Sequence, residues 1–326
     1  MTTPLTLRRP PDAEDVRPAA PAPASRRRAW RRALRRDWQL YTLAILPVVF
    51  FVIFRYLPMA GNVIAFRHFE PGAGIFGEEW VGLRYVHLFL SDPTFWAVFA
   101  NVLLLGSLTL VVLFPLPVVL ALLLNEVGSR PFKRFVQSVS YLPHFLSIVV
   151  VAAIVMQFLS VDGAMNQIVR GVGREPVAFL QRPEWFRSIY VSSEVWQTLG
   201  WGTILYLAAL TTIDPNLYEA ARIDGANRWR QAWHVTLPGI MPITMTLLIL
   251  NIGTFMAVGF EKILLLYNPL TYPTADVITT YLYRMGVVSN NFSYAAAIGL
   301  FEGVIGLILV TTANLISRRA MGTSLW

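Results

Sequence analysis

The chain has 326 residues, 55% of them apolar and 14% charged, with a formal net charge of +8 and a mean hydropathy of +0.53. Soluble domains carry about 25% charged residues, so this composition points to a chain that crosses a membrane repeatedly. The absence of Cys excludes disulfide frameworks, thiolate metal sites and Cys nucleophiles, and the Arg residues gather beside apolar runs, as topology signals do, rather than forming a nucleic-acid patch.

Residues 1–37 are rich in Pro, Ala and Arg and read as a basic cytoplasmic tail, disordered to about Ala24. Its end, SRRRAWRRALRR, carries Arg26, Arg27, Arg28, Arg31, Arg32, Arg35 and Arg36. No small-residue cleavage site follows the first apolar run, so the stretch reads as an anchor and not as a signal peptide. Residues 38–326 then hold six apolar segments, at about 39–57, 96–124, 138–159, 189–213, 241–263 and 294–317. The fold class expected is therefore an all-α membrane protein with six transmembrane helices. Pro115 and Pro117 predict a kink in the second. The fourth carries Glu194, Gln197, Thr198, Gly200, Gly202 and Thr203, which suit close helix packing better than contact with lipid.

Charge distribution orients the chain. With the N-terminus inside, eighteen of the 27 Lys and Arg fall in inner segments, among them Arg130, Lys133, Arg134, Arg222, Arg228, Arg230, Arg318 and Arg319. Both termini are then cytoplasmic, and so is the polar loop 214–240 between the fourth and fifth spans. In this loop Asp214 is a good N-cap, Pro215 suits the first helical position and Gly225 supplies a left-handed stop. A second short helix is expected from about Asn227 to Val235, with Trp229 and Trp233 on one face; Pro238 should end it, and the fifth span should begin near Met241. The segment can be read as an amphipathic loop lying on the membrane. It can also be read as a docking knob, in which Ala220 and Ala221 allow close approach and Glu219 and Arg222 offer charge.

Glu219-Ala220-Ala221, then Gly225, then Val235-x-Leu237-Pro238 resembles the cytoplasmic signature loop of ABC-importer permeases, E-A-A-x3-G-x9-I-x-L-P, with Val in place of the usual Ile. Asp224-Gly225-Ala226 resembles the form typical of the carbohydrate-uptake, maltose-permease-like branch. Arg55–Phe69, Tyr141–Ser147 and the closing Gly322–Trp326 look like the polysaccharide-permease subgroup. The resemblance covers about 38–326. It implies a bacterial inner-membrane subunit whose helix at 215–225 couples to a separate ATPase through Glu219, Ala220, Ala221, Arg222, Asp224, Gly225, Leu237 and Pro238. The implied partners are a second homologous permease, a cytoplasmic ABC ATPase dimer that binds ATP and Mg, an extracytoplasmic solute-binding protein and a sugar or oligosaccharide, with an acidic polysaccharide fragment among the options. Peptide, amino-acid or polyamine transport is the alternative within the same class.

Other chemistries lack their residues. Lys133 and Lys262 are the only lysines, and neither follows a phosphate-binding glycine loop, so ATP hydrolysis must come from another chain and no cofactor is expected here. His68, His87, His144 and His234 are scattered, with no metal-binding spacing, and no G-x-S-x-G nucleophile motif occurs. An ion-coupled secondary transporter would need acids near mid-membrane, for which Glu302 is the best candidate. Residues suited to sugar hydroxyls and ring faces in or near the spans are Asn101, Gln157, Trp196, Gln197, Asn251, Phe255, Phe260 and Glu302. Each could instead serve helix packing; Glu302 either lines the path or pairs with a partner subunit. The outer loops 58–95, 160–188 and 264–293 are long. The middle one sets Arg170, Arg174, Arg182 and Arg187 against Asp162, Glu175 and Glu184, as a polar docking rim or a solvated loop.

Overall fold

The computed structural model describes residues 36–72, 74, 77 and 79–321. All of the expected basic tail except Arg36 and Asp37, and the closing Gly322–Trp326, lie outside them. The described residues divide into two compact units, one ending at Ala60 and the other beginning at Gly61. In the first, α1 (Trp38–Phe51) contains Pro47 and buries none of its residues; a π turn, Val52–Tyr56, and α2 (Leu57–Met59) follow.

A 3-10 segment, Ala60–Phe66, runs into the second unit's two-stranded hairpin, β1 (Arg67–His68) against β2 (Glu79–Trp80), with Arg67 paired to Trp80. Helices α3 (Arg84–Leu90), α4 (Pro93–Leu113) and α5 (Pro115–Glu126) come next. Asp92 caps α4 by accepting from the Thr94 amide at 2.8 Å. The helix breaks at Phe114, because Pro115 and Pro117 both lack the amide that would continue the ladder.

Helix α6 (Arg130–Tyr141) leads through a 3-10 turn, Leu142–Phe145, to α7 (Ile148–Leu159) and α8 (Ala164–Gly171). This corrects the expected span at 138–159. The chain is extended at Leu146 and Ser147, and α7 starts only where the Ser147 hydroxyl accepts from the Val150 amide. Pro143 and the Ser147 cap impose the interruption.

Helix α9 (Pro183–Leu210) is one continuous run of 28 residues, about 42 Å long. It packs against α4, α5, α6 and α12. Gly200 lies where a Cβ would strike the Ser140 carbonyl, and Gly202 sits against Pro117. The glycines let the backbones approach, which in lipid replaces the hydrophobic drive between helices. Among the described residues, five helical runs are long and apolar enough to cross a membrane: Trp38–Phe66, Pro93–Glu126, Ile148–Gly171, Arg228–Gly253 and Phe292–Arg319. Helix α9 has the length, but its polar residues keep it out of that apolar set.

After α10 (Pro215–Ile223) and α11 (Arg228–Gln231), a π turn, Ala232–Thr236, runs directly into α12 (Leu237–Gly253). Two expectations fail here. Pro238 does not end a helix: it lies in the first turn after the π segment, whose wider hydrogen bonding tolerates the missing amide. Nor does the fifth span reach residue 263. The helix stops at Gly253, and a new helix, α13 (Phe260–Leu266), begins after Gly259, which adopts a positive φ of 34°. Helices α14 (Tyr272–Ala275), α15 (Ile278–Tyr283) and the long α16 (Phe292–Met321) complete the unit.

Two apolar clusters hold it. The larger includes Phe89, Phe95, Val102, Leu105, Ile263, Ile278, Tyr281 and Ile298; the smaller joins Val118, Ala121, Tyr206, Leu210 and Ile240 from α5, α9 and α12. A polar network accompanies the larger. Asn101 donates to the Pro273 and Asp276 carbonyls at 3.1 Å and accepts from Arg187 at 2.9 Å. Asp276 pairs with Arg284 at 2.5 Å. The Tyr281 hydroxyl donates to Asp92 at 2.8 Å. The paired groups of this network tolerate burial because they satisfy one another, although Arg187 Nε has no hydrogen-bond partner among the described residues.

Candidate functional site

The loop between α9 and α12 is built by local capping. The Asp214 carboxylate accepts from the Asn216 amide at 2.9 Å, and Pro215 opens α10. Gly225, with φ of 75°, closes it, while the Ala226 amide donates to the Ala221 carbonyl at 2.9 Å. Asn227 caps α11 through the Arg230 backbone amide, and the Gln231 side-chain Nε2 donates to the Ala226 carbonyl at 2.7 Å. The Tyr218 hydroxyl meets Thr236 at 3.1 Å and ties α10 to the π turn. Arg228 reaches Glu126, the last residue of α5, at 3.4 Å.

This closed framework turns its remaining side chains outward. Glu219, Ala220, Arg222, Asp224, Gly225 and Pro238 are exposed, and Ala221 and Leu237 are partly so. Large apolar side chains stand out beside them: Ile223 is 85% exposed, Trp229 83% and Trp233 70%. Apolar side chains this open, rimmed by charge, mark a surface that another component covers. Glu219 forms no hydrogen bond or ion pair with the described residues, so its charge is available to such a partner.

A second feature lies between α4, α9 and the segment after α12. Here a cavity of about 350 Å³ is lined by Thr109, Tyr190, Glu194, Thr198, Asn251, Thr254 and Phe255 together with apolar neighbours. Hydroxyl, amide and carboxylate groups thus line a space of mixed polarity, which suits a polyhydroxylated ligand with apolar ring faces. Lys262 is wholly buried behind it, its Nζ 2.5 Å from Glu194 Oε1. The same ammonium is without a well-aligned hydrogen bond, so the contact is an ion pair rather than a directed hydrogen bond.

The residues picked out in sequence for a substrate path divide. Asn251 and Phe255 line this cavity. Asn101 does not; it is buried and belongs to the polar network with Arg187. Gln197 is buried in the packed face of α9. Glu302, partly buried, lies in a separate groove of about 490 Å³ with Gly253, Gly299, Gly303 and Gly306. Trp196 borders an apolar cavity with Trp185 and Phe158, and Gln157 is exposed. Sequence reasoning missed Glu194 and Lys262 as a pair. The available signal was Lys262 itself, one of two lysines in the chain and set within an apolar run.

Along the outer loops, Arg170 pairs with Asp162 at 3.3 Å and Arg182 approaches Glu184 at 4.0 Å, both solvent-exposed and individually weak. Burial works against the Asp92 carboxylate, but hydrogen bonds from Tyr281 and Thr94 outweigh it and hold its pKa below the ordinary value. Burial likewise opposes the Arg284 guanidinium, yet its hydrogen bond and charge contact with Asp276 raise its pKa. No group of three or more metal-ligating side chains occurs among the described residues.

Residues 113–322 match the family described as binding-protein-dependent transport system inner membrane component. The chain is 44% identical over 292 residues to Protein LplB of Bacillus subtilis (strain 168), covering 89% of this chain and 92% of that protein. It is 44% identical over 281 residues to the polygalacturonan/rhamnogalacturonan transport system permease protein YteP of the same organism, covering 86% and 88%. Among solved structures, a bacterial ABC transporter involved in the import of the acidic polysaccharide alginate contains a chain matching at TM-score 0.84 and 42% identity, over 90% of this chain and 99% of that one.

Proposed function

The chain belongs to the family of inner membrane components of binding-protein-dependent transport systems, and from that premise we propose that it is a permease subunit importing an acidic oligosaccharide. In this reading it forms one half of a pore with a second, homologous permease chain. Separate ATPase chains bind ATP and Mg and drive it, and an extracytoplasmic binding protein delivers the sugar. Both termini and the 214–240 loop face the cytoplasm. The observation that carries the reading is that the family match at 113–322 contains the largely exposed 215–231 segment and most of the residues that line the polar cavity, among them Glu194, Thr198 and Asn251. A chain with an outward knob and no phosphate-binding loop needs an energy source on another polypeptide. The polygalacturonan and rhamnogalacturonan named for YteP and the acidic polysaccharide alginate named for the solved importer support the acidic class.

The mechanism follows as two-state linkage. ATP binding closes the ATPase chains; α10, seated on them, moves with its partner and shifts α9 and α12, which flank it in the chain and line the cavity. The cavity then opens alternately to each side. Uptake is driven because the two conformations differ in their ATPase contacts.

Affinity purification of the tagged chain from its native membranes tests the assembly. An ATPase and a second permease should co-purify, and uptake of a labelled uronate oligosaccharide into vesicles should require ATP and be insensitive to an ionophore. Uptake that collapses with the ion gradient would overturn the reading.

A further inference from the structure

Lys262 has a wholly buried side chain, while its ionic partner Glu194 remains 17% exposed and lines the cavity. The pair therefore has a direction, with the ammonium behind and the carboxylate in front. For folding alone a buried ion pair is a poor device, since apolar residues of similar volume serve as well or better. What the arrangement provides is a strong acceptor facing the cavity without a net negative charge. The backbone serves this placement. Gly259 takes its left-handed turn against Tyr190, where a Cβ would collide with the ring, and so starts α13 at the point that buries Lys262.

We propose that Lys262 is a positioning residue for substrate recognition. Compensating Glu194 from behind, it holds that carboxylate on the cavity wall as an acceptor for the hydroxyls of an oligosaccharide, and it removes the repulsion that a lone carboxylate would exert on a sugar acid. Thr198 and Asn251 beside it supply neutral partners. The inference rests on the reading that an oligosaccharide passes through this cavity.

The test titrates the assembled importer in nanodiscs, trapped in its nucleotide-bound state with vanadate, with a uronate tetrasaccharide and a neutral tetrasaccharide. E194Q weakens binding of the neutral sugar about tenfold, through loss of a charged acceptor. K262M weakens the uronate about tenfold more than the neutral sugar, because it strands a carboxylate facing the sugar acid. The E194Q/K262M double variant loses that selectivity and weakens both sugars alike. A merely structural role for Lys262 would lower the yield of complex and leave the affinity ratio of the remainder unchanged, which overturns the proposal. If K262M does not assemble, the double variant, which strands no charge, decides. Wild-type affinity for both sugars overturns the proposal, and an equal loss supports it. If the unmodified importer binds neither sugar, the oligosaccharide reading falls and this inference with it; binding by the unmodified importer with unaltered variants overturns the inference alone.

Discussion

The loop at 214–236 and the cavity beside Glu194 are built by opposite means. The loop is held mostly by contacts within itself: Asp214 to Asn216, Gln231 to Ala226, Tyr218 to Thr236. Its free side chains point outward. The cavity draws Thr109, Glu194 and Asn251 from three distant parts of the chain, and its charged pair points inward. A surface that must fit a partner can be specified locally. A binding space must be assembled by packing, and its polar groups are tolerated only where other elements close around them. The two regions are joined in the chain by α9 and α12, which carry Glu194, Thr198 and Asn251 of the cavity and flank the loop.

Substitutions can break this contrast. The largest effect is expected from Gly259→Val. A Cβ there meets the Tyr190 ring at a positive φ of 34°, so strain and overpacking together cost about 3 kcal/mol or more. The yield of folded protein and its thermal midpoint in detergent should both fall sharply. Next comes Glu219→Lys, at an exposed position outside any hydrogen bond or ion pair with the described residues. Folding should be unaffected, while ATPase association weakens by about tenfold or more, measured by co-purification or titration with the ATPase. Wild-type association would remove Glu219 from the contact. Gly225→Val places a branched side chain at a φ of 75° with open space around it. Only backbone strain is at stake, about 1–2 kcal/mol, and it should appear as reduced coupling of ATP hydrolysis to uptake, with normal insertion. The smallest effect is Arg228→Ala. Its pairing with Glu126 is solvent-exposed, so stability should change by about 1 kcal/mol or less, and less still at high salt.

The legible part of the chain shows why the rest was not. Asp214, Pro215 and Gly225 could be placed because each acts on its own backbone: a cap, a fixed φ, a left-handed turn. Pro238 misled because its usual meaning, a helix end, depends on what precedes it; the π turn at Ala232–Thr236 made room for it. The helix end at Gly253 was invisible in the apolar run, since apolarity reports burial and not continuity. Pro143 and Ser147 signalled their interruption, but the surrounding apolar residues masked it.

Sequence alone determined the membrane class, the polar character of α9 and the residue spacing of the 214–240 loop. These depend on composition and on interactions within a few residues of the backbone. Tertiary structure decided that Asn101 serves a structural network, that Glu302 lies in a groove apart from the cavity, and that Lys262 stands behind Glu194. Each of those depends on which side chains from remote segments share one small space. In a chain this apolar, many packings satisfy the same hydropathy pattern, and the few charged side chains become informative only once their neighbours are known.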